Sequence, residues 1–225
     1  MELVMKRKIE LCMTLLLLVG MIVASRKLSQ LVTSDKVETR KDIVVIDAGH
    51  GGEDPGKVGV NGALEKDINL QIAKKVEEYL EKQGVQVVMT REVDQAEDSK
   101  RKDMEKRVAL INEVKPIIAV SVHQNSYTDP SVKGGQVFYY TDSEEGKNAA
   151  SFMQEELRKV DVENSRQIKS NDNYYMLKKT EVPIVIVECG FLSNVEEAEK
   201  LIDEEYQDKM AEAIAKGILG WIAGE

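Results

Sequence analysis

The feature that most constrains this fold is a recurrence. Short, mainly apolar, β-branched-rich runs alternate with segments whose apolar residues recur every three or four positions. Ile43 to Ile46, Val85 to Thr90, Ile117 to Val122, Gly135 to Tyr140 and Val182 to Val187 are of the first kind. Runs without polar alternation belong to strands buried on both faces. Between them, Ile68, Ile72, Val76 and Leu80 form a helical stripe over residues 66 to 82, which Gly84 closes. Met104, Val108 and Ile111 mark a shorter helix that Pro116 ends, and residues 144 to 159 form a third with Phe152, Met153 and Leu157 inward. Tyr206, Met210, Ile214, Ile218 and Ile222 predict a long C-terminal helix lying on the sheet, with Trp221 in the core. Strand and helix alternating in this way specify a single α/β domain, a mostly parallel twisted sheet with helices on both faces.

The first 28 residues follow another rule. Lys6, Arg7 and Lys8 precede an uncharged apolar stretch from Leu11 to Ala24. That stretch is shorter than the ~20 residues of a usual membrane span. A basic start and a short apolar region are the pattern of an export signal. Val23-Ala24-Ser25 is followed at once by Arg26 and Lys27, so segment 1–28 reads as a signal peptide or an uncleaved N-terminal membrane anchor. Cys12 opens the apolar run rather than following it, the wrong place for a lipid-bearing cysteine. Residues 29–41 are polar and aperiodic, a linker, and 42–225 form the folded domain. The expected location is extracytoplasmic, with the membrane touched only through the N-terminal segment. Beyond that segment Cys189 is the one cysteine, so no internal disulfide holds the domain. A net charge of -9, from 31 basic and 40 acidic residues, excludes the counterion release that drives nucleic-acid binding.

The chain has two histidines, and both close a buried strand. His50 lies in Asp47-Ala48-Gly49-His50-Gly51-Gly52, and His123 in Ser121-Val122-His123-Gln124-Asn125-Ser126. Glu188 follows Val182 to Val187 directly. Ligands of open α/β sheets bind outside the carboxyl ends of the strands. Each residue alone has a plainer reading: a hydrogen-bonded histidine, a carboxylate favouring a helix start for Glu65, a lysine partner for Glu188. Together they fit a metal site. Two imidazoles and one carboxylate leave a fourth position open, the layout of many hydrolytic zinc sites, and a second carboxylate off the metal then carries protons. The reading is one Zn2+ ion on His50, Glu65 and His123, Glu188 as base and acid, and Asn125 orienting a ligand or the substrate. Cys189 is a small buried filler rather than a nucleophile, since no further histidine exists to activate it. Arg91 and Arg107 read as structural ion-pair partners.

These motifs, in order, resemble the N-acetylmuramoyl-L-alanine amidase family of zinc enzymes (type 3). DAGHGG follows the first strand, Glu65 opens the first helix, SVHQNS follows a central strand, and VPIVIVECGFLSN stands near the end. Val88 to Arg91 resembles the family's LTR segment, and Arg107 to Asn112 its R…AN helix. Ala48 and Ser126 depart from the Pro and Ala common there. The similarity covers residues 42 to 223 and implies zinc on His50, Glu65 and His123 with Glu188 catalytic. It also implies hydrolysis of the amide between the lactyl group of N-acetylmuramic acid and L-alanine in peptidoglycan. The short chain, its N-terminal hydrophobic segment and SVHQNS…GGQVFYY are similar to the spore-cortex, germination-specific branch. The polar stretch from Lys159 to Val182 leaves no room for a long masking helix, and no wall-binding repeats are recognised, so the N-terminal segment or an activating or recruiting protein partner is expected to bring the domain to its substrate. Two alternatives stand beside this one: another exported zinc hydrolase (a peptidase or deacetylase), and a non-catalytic cell-wall protein with a structural metal.

Overall fold

Among the described residues, six strands form one sheet. The computed structural model describes residues 40–97 and 99–224, together with Met5 and Met13. The expected export segment (1–28) and most of the linker lie outside the described residues. Residues Thr39–Glu225 form one compact unit. Its elements are β1 (Arg40–Ala48), α1 (Glu65–Lys82), β2 (Gln86–Met89), α2 (Lys100–Val114), β3 (Pro116–Asn125) and β4 (Gln136–Tyr140). There follow α3 (Glu144–Val160), β5 (Lys169–Asn171), α4 (Tyr175–Lys179), β6 (Ile184–Phe191), α5 (Val195–Leu201) and α6 (Glu204–Gly224). β1 therefore starts two residues inside the stretch read as linker. Among the described residues, no helix is long and apolar enough to cross a membrane.

The four strands β2, β1, β3 and β6 are parallel, whereas β4 pairs antiparallel with β6 and carries β5 parallel to itself. The five expected strands and four expected helices are all present. β5, α4 and α5 were not expected: at three, five and seven residues they are too short to show a period.

Because side chains alternate along a strand, the sheet has two different faces. Val44, Ile46 and Ala48, Ile118, Val120 and Val122, and Val185, Val187 and Cys189 join one continuous core with Ile68, Ile72, Val76, Met153 and Ile214. This face carries α1 and α3. The opposite face carries α2 and α4 and presents Asp47, Ser121, His123, Ile186 and Glu188. Asp47 pairs in register with Ser121, Ser121 with Ile186, and His123 with Glu188, so these polar groups line up across neighbouring strands.

α6 was expected on the sheet, yet its main partners are α1 and α3. The small side of α6 explains the close approach: a Cβ at Gly217 would sit 2.7 Å from Met153 Cα. Trp221, 1% exposed, is buried in this layer as expected.

Candidate active site

The site is built where β1, β3 and β6 end. After Ala48 the chain must turn sharply, and the turn is pinned from several sides. Gly49 N–H donates to Val122 O (3.1 Å), and Asn69 Nδ2 donates to Gly49 O (3.0 Å). Arg91 donates through Nε to Ala48 O (2.9 Å) and through its terminal nitrogens to Gly49 O (3.2 Å), Lys66 O (2.7 Å) and Val93 O (3.3 Å). Arg91 is thus structural, but it ties carbonyls rather than forming the carboxylate pair expected of it. His50 emerges with φ +62°, a left-handed conformation unusual for a residue with a Cβ. Gly51 and Gly52, also at positive φ, complete the reversal.

Glu65, the first residue of α1, reaches under both imidazoles. Its Oε1 lies 2.9 Å from His123 Nδ1 and 3.2 Å from His50 Nε2. The rings meet edge to face at 5.0 Å. One ligating atom from each of His50, Glu65 and His123 lies within 4.8 Å of the others, a cluster able to hold a metal ion. Glu65 Oε1 also accepts from Gln124 N (3.2 Å) and Oε2 from Lys57 N (2.7 Å). Burial opposes ionisation of Glu65. The hydrogen bonds and charges of His123 and His50 outweigh it and hold the carboxyl far below its usual range. Two glycines make room. A Cβ at Gly49 would lie 2.2 to 2.7 Å from the His123 ring, and one at Gly56 2.5 Å from Glu65 Oε2.

Glu188 is placed next to His123 by strand register. It is 8% exposed, and its Oε2 is buried without a hydrogen-bond partner. Burial raises its carboxyl to about 7, with Glu65 adding to the rise and the histidines opposing it. Among the described residues no lysine pairs with Glu188, so the plainer reading of this carboxylate does not hold. Glu188, His50, Glu65, His123, Asn125 and Tyr174 line one cleft of about 420 Å³, which runs over Ile186 between Met104 of α2 and Met176 of α4. Asn125 is at the rim, its Oδ1 accepting from Ser126 N (2.8 Å) and its carbonyl from Leu192 N (2.8 Å).

Beneath the cleft lies a buried polar network. Asp47, fully buried, accepts from Arg107 (2.9 and 3.1 Å), Ser121 Oγ (2.5 Å) and Thr90 Oγ1 (2.7 Å). Arg107 donates its Nε to Asp103 (2.9 Å), the ion-pair role expected of it. Cys189 is enclosed, and burial pushes its thiol far up, which suits a filler and not a nucleophile. Asp54 was missed by the sequence reading, although it stands four residues after His50 beyond a glycine turn. Its Oδ2 lies 2.9 Å from His50 Nδ1.

A family model described as N-acetylmuramoyl-L-alanine amidase matches residues 44–220. The chain belongs to this family. It is 40% identical to the germination-specific N-acetylmuramoyl-L-alanine amidase of Bacillus subtilis over 186 residues, 79% of this chain and 78% of that protein. Among solved structures, the CwlD amidase from Clostridioides difficile, in complex with the GerS lipoprotein, superposes with a TM-score of 0.79. It is 37% identical, with 82% of this chain and 100% of that one covered. The catalytic domain of the amidase CwlV from Bacillus (Paenibacillus) polymyxa gives 0.74 at 32% identity, over 82% and 99% of the two chains. Family membership accounts for the resemblance of DAGHGG, SVHQNS and VPIVIVECGFLSN, and these motifs are the three strand ends that build the cleft.

Proposed function

We propose that the protein is a zinc-dependent N-acetylmuramoyl-L-alanine amidase of the exported, spore-cortex type. It would cut the amide between the lactyl group of N-acetylmuramic acid and the L-alanine of the stem peptide in peptidoglycan. The observation that carries this reading is the convergence, in one cleft, of a His50–Glu65–His123 cluster with a buried, unpartnered Glu188 oxygen beside it. The donor set suits the ion: two imidazoles and one carboxylate leave a fourth position open. When bound there, zinc would supply Lewis-acid polarisation of the carbonyl and a water acidic near neutrality.

The chain's own residues do the rest. Glu188 Oε2, with no competing partner, takes the proton of the attacking water and delivers it to the nitrogen of the departing L-alanine. Its carboxyl, raised to about 7, exchanges a proton readily at that pH. Gln124 N and Lys57 N hold Glu65 in place, so its second oxygen does not swing toward the substrate. Ile186, Met104 and Met176 line the cleft with apolar surface, and Asn125 orients the substrate from the rim.

The relatives with a described activity are amidases, which favours this bond over that of a peptidase or deacetylase and argues against a purely structural metal. The germination-specific relative supports the cortex as the substrate. The relative solved with a lipoprotein supports an activating or recruiting protein partner here, and residues 1–28 support a site of action outside the cytoplasm. Purified spore peptidoglycan is incubated with the protein, with and without zinc, and the products are weighed. New L-alanine amino termini that depend on zinc are expected. Free glucosamine amines, or cleavage within the stem peptide, would overturn the assignment.

A further inference from the structure

Asp54 stands outside the cluster of ligating atoms, yet it is bound to one of its members. The loop after β1 folds back as a tight hairpin in which Gly51 N donates to Asp54 O (3.1 Å) and Asp54 N to Gly51 O (2.9 Å). This return brings Asp54 Oδ2 to 2.9 Å from His50 Nδ1, on the ring edge away from Glu65. The other oxygen, Oδ1, is held by Lys100 Nζ of α2 at 2.7 Å and by Gly56 N at 3.2 Å. A carboxylate fixed at both oxygens cannot turn away from the ring. It is also an acceptor only, so the nitrogen facing it must carry the hydrogen. In a neutral imidazole the other nitrogen then carries the lone pair. For His50 that is Nε2, the atom 3.2 Å from Glu65 Oε1.

His123 is arranged the other way. Its Nδ1 lies 2.9 Å from the same Glu65 oxygen. Gly49 packs over the face of this ring, where a Cβ would lie 2.2 Å from Cε1, 2.3 Å from Nε2 and 2.7 Å from Nδ1. The two rings therefore turn different nitrogens toward one point.

We infer that Asp54 is a positioning residue that sets His50 to hold the ion through Nε2, and that the site is asymmetric, with His123 holding it through Nδ1. The inference rests on the metal reading above and specifies its atoms. Outer carboxylates of this kind typically govern metal affinity by ~10- to 100-fold. Lys100 links the arrangement to α2, the helix that walls the cleft.

With only two histidines in the chain, the test is direct. The full chain is labelled with nitrogen-15 in histidine, loaded with cadmium-113, and examined for metal–nitrogen couplings. One coupling to an Nε2 and one to an Nδ1 are expected. In zinc competition against a chelator, Asp54→Ala should raise the dissociation constant ~10- to 100-fold. Asp54→Asn, which keeps one acceptor oxygen for His50 but loses the other to Lys100 and Gly56, should recover part of that loss. Ligation of both rings through the same kind of nitrogen would overturn the inference while leaving the metal site intact, and so would a folded Asp54→Ala protein with unchanged zinc affinity. If Asp54→Ala does not fold, the wild-type couplings decide alone. A wild-type chain that takes up neither metal would remove the metal reading itself and this inference with it.

Discussion

Glu188→Gln should gain stability relative to the wild type as pH rises through neutrality in the metal-free protein, while it cuts hydrolysis by ~10²- to 10⁴-fold. The substitution keeps shape and removes charge. The carboxyl of Glu188 stands at about 7 in place of its ordinary 4.5, and at 1.36 kcal/mol per pH unit the folded state loses roughly 3 kcal/mol by ionising it. The sign follows from proton counts. Below about pH 4 the group is protonated folded and unfolded alike, and no difference arises. Between pH 4 and 7 the unfolded chain releases the proton and the native chain keeps it, so stability falls as pH rises. Above 7 the loss is complete and constant. Gln carries its own cost, since its amide enters a place where Oε2 already lacks a partner, at about 1–3 kcal/mol. That cost does not change with pH, so the slope isolates the carboxylate.

The assay is urea unfolding of both proteins, stripped of metal, from pH 5 to 8.5. The stability difference should move in favour of Gln by about 2–3 kcal/mol across that range. With zinc present it should shrink, because a nearby cation favours the ionised carboxylate. In the same preparations zinc affinity should stay close to wild type, while turnover on peptidoglycan falls by ~10²- to 10⁴-fold. A difference that stays flat with pH would refute the account of Glu188 as a charge held against its solvation. Normal turnover would remove it from the mechanism.

Gly49→Ala drives a methyl group into the His123 ring, at 2.2 to 2.7 Å; zinc affinity measured by chelator competition should drop at least about tenfold, as for other losses of ligand orientation. Asp47→Asn removes one of the two carboxylates that pair with the buried Arg107, leaving Asp103 as the other, and should cost about 1.5–3 kcal/mol in denaturant unfolding. Burial opposes the Asp47 charge, but Arg107, Ser121 and Thr90 hold its carboxyl below the usual range. Its contribution is therefore present above about pH 4 and lost as pH falls further, and the Asn variant should lack that acid limb. Cys189→Ala should retain activity within a few-fold on peptidoglycan, and thiol reagents should leave Cys189 of the folded wild type unmodified, because its thiol is enclosed and held protonated.

Much of this molecule was legible because its strands are buried on both faces. Ile43 to Ile46 and Val182 to Val187 announce themselves without alternation, and their ends carry His50 and Glu188. Helices α1 and α6 were equally plain, since eighteen and twenty-one residues give the apolar period room to repeat. β5, α4 and α5 were not, for the opposite reason. The starts of α4 and α5 are set by single local asparagine side chains: Asn171 Oδ1 accepts from Asn173 N and Tyr174 N (2.8 and 2.9 Å) just before α4, and Asn194 caps α5 by accepting from Glu197 N (3.0 Å). Arg91 was read as an ion-pair partner because charge suggests charge. The turn at Gly49 instead leaves several carbonyls facing inward, and a planar five-donor group satisfies them better than any other side chain.

The two faces of the sheet explain why the site sits where it does. The face under α1 and α3 is packed with Val, Ile and Ala to near-complete burial, and a charge placed there would have nothing to pair with. The face under α2 and α4 receives thinner cover, and there Asp47, Ser121, His123 and Glu188 come forward on three neighbouring strands. Asp47 is fully satisfied by Arg107, Ser121 and Thr90 and anchors the floor. Glu188, one step further along the same face, is left with an unpartnered oxygen and a raised carboxyl. A hydrogen bond supplied to Glu188 from the protein would stabilise the fold and would also occupy the atom that must exchange protons. The same sheet face thus holds one carboxylate for structure and one for chemistry, and what separates them is the number of donors each is given.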